Sequence, residues 1–155
     1  MTPTTFPNAP SDALAELARV ADDLFSLVGS LSDDDLRAPH VAGEWRGQDI
    51  LAHLARWDAI ACHAIQAEHD GQPAGHDYAN YLELNDEWAA LDQAIGPDQA
   101  RARFEAAHAA LFALLSSLPP DDWTPLVRRW AKNAVWRHYP EHTAHLRTWR
   151  DEQRR

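Results

Sequence analysis

Two segments of this chain are similar to each other, and their similarity limits the possible folds more than any other feature. "LFSLVGSLSDDDL" at residues 24–36 and "LFALLSSLPPDDW" at residues 111–123 are identical at seven of thirteen positions, at an offset of 87 residues. Repetition of this kind is typical of a chain built from more than one copy of a supersecondary unit. We therefore expect two similar halves, each with a long helix followed by an acidic turn.

A tryptophan and a histidine recur in both halves at the same spacing. Trp45 lies eight residues before His53, and Trp130 lies eight residues before His138, so that the offset here is 85 residues. Two copies of a helix pair can pack about a pseudo-two-fold axis as a four-helix bundle. Equivalent residues near that axis face each other, which makes His53 and His138 candidates for one shared site.

Apolar residues recur at helical spacing along most of the chain. Ser11 should cap the first helix, the second should cover about 48–68, the third about 98–118, and the last contains the histidine-rich segment 136–149. No stretch alternates with period two for long enough to indicate a sheet. The predicted fold class is all-α: a four-helix bundle with pseudo-two-fold duplicated helix pairs and a long crossover, residues 71–97, between helices 2 and 3.

Length, charge and cysteine content restrict the class of protein. A chain of 155 residues can bury a real core, and we expect a flexible N-terminal tail, residues 1–10, followed by one bundle domain, residues 11–155. The net charge of −10 argues against nucleic-acid binding, because phosphates attract a basic surface. The single cysteine, Cys62, fits a reducing compartment. The sequence shows neither a signal peptide nor a membrane span, so we expect a soluble, cytoplasmic protein without a membrane partner.

The segment "WRHYPEHTAHLRTW" places three histidines on one helix face. His138 and His142 are about 40° apart around a helix, and His142 and His145 are about 60° apart. They continue an apolar stripe, and His53 lies likewise on the apolar face of its own helix. Burying imidazoles close together is costly unless they are hydrogen-bonded or coordinated. This favours a metal site made by a helical histidine pair and a third histidine from the other half.

Pro140 leaves two pairings open. A proline inside a helix removes one backbone hydrogen bond and clashes with the carbonyl four residues earlier. If the helix kinks there, His138 stays near His142. If the helix restarts with Pro140 at its first position, His142 and His145 form the regular pair. His138 and His145 are about 10 Å apart along the axis, which is too far for simple shared ligation.

The same residues resemble a known family. "GEWRGQDILAHLARWD" followed by "HYPEHTAHL" is similar to the DinB-like superfamily of four-helix bundles, which includes DinB proteins, thiol-dependent transferases and colibactin-resistance-type proteins. The marks of this family are a histidine on the second helix and an HxxxH pair on the last. Carried over, these are His53, His138 and His142, which favours a kink over a restart. The resemblance covers about residues 11–150.

Several other polar residues have candidate roles near this triad. The resemblance implies that Asn85 corresponds to an asparagine in the connecting region of the family. Asp49 could orient His53 as a hydrogen-bond acceptor, but an acidic residue in the first turn of a helix has a simpler role. Glu141 is expected to point away from His142 into solvent. The remaining histidines show no clear geometric partner: His40, His63, His69, His76 and His108.

The resemblance implies a metal-dependent enzyme, either a thiol-dependent transferase or a hydrolase. Imidazole ligands suit a divalent transition metal such as Zn or Ni, and three neutral ligands leave coordination positions open, as catalytic sites do. The alternative is a non-catalytic helical protein that binds a metal, a small molecule or a partner. We expect a pocket beside the triad that admits a small-molecule ligand, with low-molecular-weight thiols the first to test. Seven tryptophans exceed what the core should need, and the family implies a homodimer that would bury the surplus.

Overall fold

The computed structural model describes residues 5–73 and 78–155, and within these residues every regular element is helical. The predicted all-α class is confirmed. The helices are α1 (Pro10–Gly29), α2 (Asp33–Arg37), α3 (Gly47–His69), α4 (Tyr81–Leu91), α5 (Pro97–Ser117), α6 (Pro125–Trp130) and α7 (His138–Gln153). A π-helical segment, Ala131–Arg137, joins α6 to α7, and 3-10 turns lie at Tyr78–Asn80 and Pro120–Asp122.

The helix boundaries repeat at the offsets read from the sequence. Shifting α1 by 87 residues gives 97–116, and α5 spans Pro97–Ser117. Shifting α3 by 85 residues gives 132–154, a range filled by most of the π-helical segment and by α7. α3 packs most closely against α5, while α7 and the π-helical segment pack against α1. The first long helix of each half therefore packs against the second long helix of the other half.

The chain before α1 differs in part from the predicted tail. α1 begins at Pro10, and its cap residue is Ala9, two residues before the predicted cap Ser11. Proline suits the first helical position, because its missing N–H would have no partner there. Phe6 is half-buried and packs edge-on against Trp136, with 5.7 Å between ring centroids. Residues 1–4 lie outside the described part of the chain.

A short helix lies within the predicted crossover. α4 packs against α3, and its far end is held by Asp92, which is buried and bound to two arginines. Arg56 on α3 contacts Asp92 at 2.6 and 2.8 Å, and Arg103 on α5 contacts it at 3.2 Å. These charged partners hold the pKa of Asp92 below its usual value. The ion pairs fix α4 relative to the two long helices. The crossover also contains His76, which lies outside the described residues.

His138 stays near His142, as expected for a kink at Pro140, and the disturbance takes the form of a π-helical segment. The chain passes without interruption from α6 through the wide π-helical turns into α7, which begins at His138. Pro140 is the third residue of α7 and lies three residues after the end of the π-helical segment, and rearranged turns of this kind are one way in which a helix accommodates a disturbed backbone hydrogen bond. Residues eight apart in an α-helix point about 80° apart. The wider turns bring Trp130 and His138 back to one face, and both line the same cavity.

None of the described helices is both long enough and apolar enough to cross a bilayer.

Candidate metal centre

Three histidines from the two halves of the chain meet between α3 and α7. His53 lies in the second turn of α3, His138 is the first residue of α7, and His142 lies one turn further along. The Nε2 atoms of His53 and His138 are 2.7 Å apart, and those of His138 and His142 are 3.1 Å apart. One ligand atom from each residue lies within 4.8 Å of the others. The structure therefore places together the three residues that the sequence singled out.

Burial keeps these imidazoles neutral. His53 is 8% exposed and His142 is 6% exposed, and His138 is half-buried. Burial lowers the pKa of His53 to about 3, that of His138 to about 4 and that of His142 to about 2. For His53 and His142, repulsion from the neighbouring imidazoles lowers the pKa further. A neutral imidazole has a lone pair available for a metal, so protons compete weakly with an ion at neutral pH.

The donor set fits a metal ion. A ring nitrogen carries either one hydrogen or one lone pair, so Nε2 of His138 can make a proper hydrogen bond to only one of its two imidazole neighbours. A cation among the three nitrogens removes this conflict, because all three lone pairs then point at positive charge. Nitrogen ligands at about 2.0–2.1 Å from one tetrahedral zinc ion are themselves roughly 3.3 Å apart. The separations on the two sides of His138, 2.7 and 3.1 Å, are somewhat shorter, so small shifts of the rings would admit an ion.

His145 lies beside the triad and contacts its outer side. Its Nδ1 atom is 3.3 Å from Nδ1 of His142, so it faces the ring nitrogen that points away from the other two histidines. With Nε2 of His142 turned to the centre, the hydrogen on Nδ1 of His142 can be donated to His145. Such a bond fixes the tautomer and the ring orientation of a metal ligand. A restart at Pro140 would have made His142 and His145 the ligand pair. In this geometry His142 is a candidate ligand and His145 is the residue that supports it.

Asp49 does not support His53. Its carboxylate accepts hydrogen bonds from the backbone and side chain of Arg46 at 2.8–2.9 Å and caps the start of α3. The simpler role, an acidic residue in the first turn of a helix, is the one observed. Trp45 instead lies beside the site, with its ring centroid 4.7 Å from that of His53 and 6.5 Å from that of His142.

A cavity of about 1290 Å³ opens onto the histidines. Two connecting segments contribute to it, with Trp45 from the segment before α3 and Tyr78 from the segment before α4. Three of the seven tryptophans line it: Trp45, Trp57 and Trp130. Two of the seven are buried, Trp123 and Trp149, and the other five are half-buried.

Two polar residues with roles expected from the sequence, Asn85 and Glu141, also line the cavity. Asn85 on α4 accepts a hydrogen bond through Oδ1 from Nε1 of Trp57, at 2.9 Å. The side-chain carbonyl is thereby occupied and the NH₂ group remains available as a donor. Glu141 is exposed, as expected, but it also lines the cavity beside the histidines.

A second polar cluster, which the sequence did not reveal, lies on the other face of α3. Tyr139 donates its hydroxyl hydrogen to the buried carboxylate of Asp58, and its oxygen is 2.9 Å from Nδ1 of His108. Burial raises the pKa of Asp58 well above its usual value, and its Oδ1 atom has no hydrogen-bond partner in the structure. His108 was expected to lack a partner, and this expectation is wrong.

Burial also raises the pKa of Cys62 to about 11, which argues against a nucleophilic role.

The chain matches one protein family over most of its length. Residues 17–147 match the mycothiol maleylpyruvate isomerase N-terminal domain. No curated protein sequence matches the chain.

Several solved structures share its fold. An uncharacterised protein from Escherichia coli UTI89 superposes with a TM-score of 0.81 at 14% identity, covering 96% of each chain. The colibactin self-resistance protein ClbS, solved in complex with a double-stranded DNA, gives 0.81 at 14% identity, covering 94% of this chain and 98% of its own. The sibling lethal factor precursor DfsB gives 0.78 at 16% identity, covering 95% and 98%. At this identity the likeness establishes a common fold and leaves activity open. Together with the family match it shows that the chain belongs to the mycothiol maleylpyruvate isomerase N-terminal domain family, within the DinB-like superfamily.

Proposed function

We propose that this protein is a metal-dependent enzyme that holds one divalent transition metal, Zn or Ni, on His53, His138 and His142. The observation that carries the proposal is the convergence of three neutral Nε2 atoms at separations of 2.7 and 3.1 Å. A structural ion is usually closed by a fourth protein ligand. His145 faces the outer side of His142, and a cavity adjoins the histidines, so the arrangement supports an open, catalytic type of site.

The chemistry would be divided between the ion and the chain. A bound divalent ion would lower the pKa of a water or thiol ligand and polarise a substrate oxygen. The imidazoles hold their lone pairs free of protons at neutral pH, and Trp45 covers one side of His53 and shields it from bulk water. Glu141 lines the cavity as a carboxylate and is placed to accept a proton from a bound group.

A low-molecular-weight thiol is the ligand that we propose for the open position. The matching family is named after a reaction that depends on mycothiol, and a thiolate is a good ligand for Zn and Ni. We therefore propose a thiol-dependent transferase or hydrolase. The highly acidic chain makes nucleic acid a poor partner, and we propose a small-molecule substrate even though ClbS was solved with DNA.

The first experiment measures metal on protein purified without an affinity tag. Elemental analysis of the wild type should give about one Zn or Ni per chain, and His53→Ala, His138→Ala and His142→Ala should each lose most of it. His63→Ala is the matched control, because His63 is an exposed histidine on α3 outside the site. Full metal content in all three site variants would show that the metal lies elsewhere.

The second experiment tests whether the site is open. Cobalt-substituted protein should change its visible spectrum when 2-mercaptoethanol is added, because a thiolate replaces a weaker ligand in the coordination sphere. A spectrum that responds to neither thiols nor azide would indicate a closed, structural ion. The enzyme proposal would then be wrong.

A further inference from the structure

One cationic side chain lines the cavity from α6, the helix that continues through the π-helical segment into α7. Arg129 lies in the last turn of α6, lines the cavity and is exposed. Its guanidinium group forms no ion pair or hydrogen bond with any residue in 5–73 or 78–155. Most other arginines near the core are already paired with carboxylates, such as Arg46, Arg56 and Arg101. A guanidinium left unpaired inside a cavity is available to a ligand.

Neighbouring groups at this end of the cavity are also donors. Asn133 lies one turn after Arg129, is exposed and lines the same cavity. Asn85 on α4 also lines the cavity, but it lies toward the histidines, since it borders a small void together with His53 and Trp45. Trp130 follows Arg129 in the chain, lines the same cavity and offers an aromatic surface. Donors beside an aromatic surface suit a ligand with an acidic or acceptor-rich group.

The donor end is well separated from the histidines. Arg129 precedes His138 by nine positions along the helix, which corresponds to at most roughly 13 Å at the α-helical rise of about 1.5 Å per residue. The cavity spans this distance, because residues at both ends line it. Its volume of about 1290 Å³ exceeds the ~300–1,000 Å³ typical of small-ligand pockets. A ligand that occupies both ends must therefore be elongated.

The charge of the cavity is compatible with an anion. Among the lining residues that the structure describes, Arg129 is positive, and Asp86 and Glu141 are negative. A divalent ion on the histidines would leave the cavity net positive by one charge. The rest of the chain carries a formal charge of −10 overall, so this cavity is an exception on an acidic molecule. An anionic ligand would be attracted here and repelled over most of the surface.

We propose that Arg129, assisted by Asn133, forms an anion subsite at the end of the cavity opposite the histidines. The ligand is an elongated low-molecular-weight thiol that carries a carboxylate on the order of 10 Å from its sulfur atom. The thiol end of this assignment rests on the proposed function. The carboxylate end rests on Arg129 and Asn133, neither of which needs the metal, and can be tested without it.

The test compares Arg129→Gln with Arg147→Gln, which removes the same charge from an exposed position on α7 outside the cavity. Cobalt-substituted proteins are titrated with 2-mercaptoethanol, which has no carboxylate, and with glutathione, which has two. Arg129→Gln should weaken glutathione binding about tenfold and leave 2-mercaptoethanol binding unchanged. Arg147→Gln should affect neither. Equal affinity of the wild type and Arg129→Gln for glutathione would overturn the subsite.

A metal-free measurement separates failure of this subsite from failure of the proposed function. S-methylglutathione keeps the carboxylates but cannot ligate a metal as a thiolate, and its binding to metal-free protein can be followed by tryptophan fluorescence, because three tryptophans line the cavity. Weaker binding to Arg129→Gln than to Arg147→Gln supports the subsite even if the cobalt spectrum responds to no thiol. No binding to the wild type, or equal binding to both variants, overturns it.

Discussion

Tyr139 donates its hydroxyl hydrogen to Asp58, and this contact joins the helix that carries two site histidines to the helix that carries the third. Tyr139 follows His138 directly in the chain and is fully buried. The hydrogen bond therefore constrains α7 relative to α3 within one residue of the metal centre. His108 on α5 contacts the same hydroxyl oxygen, so that three helices meet at one phenol group.

Tyr139→Phe should destabilise the protein by about 1–3 kcal/mol, because Asp58 and His108 lose their shared partner in a buried position. Urea unfolding of the metal-free protein measures this cost. Combining the change with Asp58→Asn in a double-mutant cycle should reveal a coupling of at least ~0.5 kcal/mol. Strictly additive effects would mean that the contact contributes nothing specific.

Asp58→Asn should make stability less dependent on pH above neutrality. The pKa of Asp58 is raised in the folded protein, so the unfolded chain releases a proton that the folded chain retains. Stability is consequently lost as pH rises above about 4, the ordinary value for an unfolded aspartate. The asparagine variant cannot lose that proton. Its free energy of unfolding should exceed that of the wild type by more at pH 8 than at pH 5, and the opposite trend would contradict the assignment.

His145→Ala should weaken metal binding roughly 10–100-fold without abolishing it, because His145 supports the ligand His142 through Nδ1. Competition with a chromophoric chelator gives the affinity. His145→Asn should restore much of the loss, since its carbonyl oxygen can accept the same hydrogen. Complete loss of metal in His145→Ala, with metal retained in His138→Ala, would instead make His145 a ligand.

The metal-free protein should lose stability in mild acid. The folded-state pKa values of His53, His138 and His142 are about 3, 4 and 2, below the ~6.5 of an unfolded histidine. Below pH 6.5 the unfolded chain binds more protons, so the free energy of unfolding falls by up to roughly 1.4 kcal/mol per pH unit for each histidine. Denaturation curves between pH 7 and 4.5 measure the slope. His53→Gln should reduce it, and an unchanged slope would argue against a neutral His53.

We predict a homodimer and assign its interface to α4. This helix exposes three large apolar side chains, Tyr81, Leu82 and Leu91, at 50, 65 and 71%. Burial of such a patch favours association of two copies. Light scattering at micromolar concentration should give twice 17.4 kDa, and Leu91→Glu should shift the mass toward the monomer. A monomer mass for the wild type would defeat the prediction.

The architecture was predictable because two independent signals agreed. Helical periodicity located the long helices, and the repeat placed His53 opposite His138 before any contact was known. The 2.7 Å separation of their Nε2 atoms shows how far such a repeat constrains tertiary structure. The predicted start of α1 differs from the observed start by two residues, because Pro10 and not a capping serine begins the helix.

The remaining features depend on contacts that one sequence does not encode locally. Asp58 is one acidic residue on a long helix, and only the approach of Tyr139 and His108 identifies it as part of a buried cluster. Arg129 looks like any surface arginine until its lack of a partner in the described residues is known. Pro140 indicated a disturbance in the last helix, but several backbone solutions accommodate a proline.

The π-helical segment sets the angle about the helix axis between α6 and α7, which form one continuous helix. Arg129 and Trp130 precede it, and the histidines of α7 follow it, yet both groups open into one cavity. Deleting a single residue from Ala131–Arg137 would let the segment relax to ordinary α-helix, with Trp130 and His138 then seven positions apart and still within about 20° of each other. The undeleted segment wound as ordinary α-helix would instead turn them about 80° apart. The wide turns thus absorb one surplus residue and keep both groups open to the same cavity, so a one-residue deletion there should preserve the shared cavity.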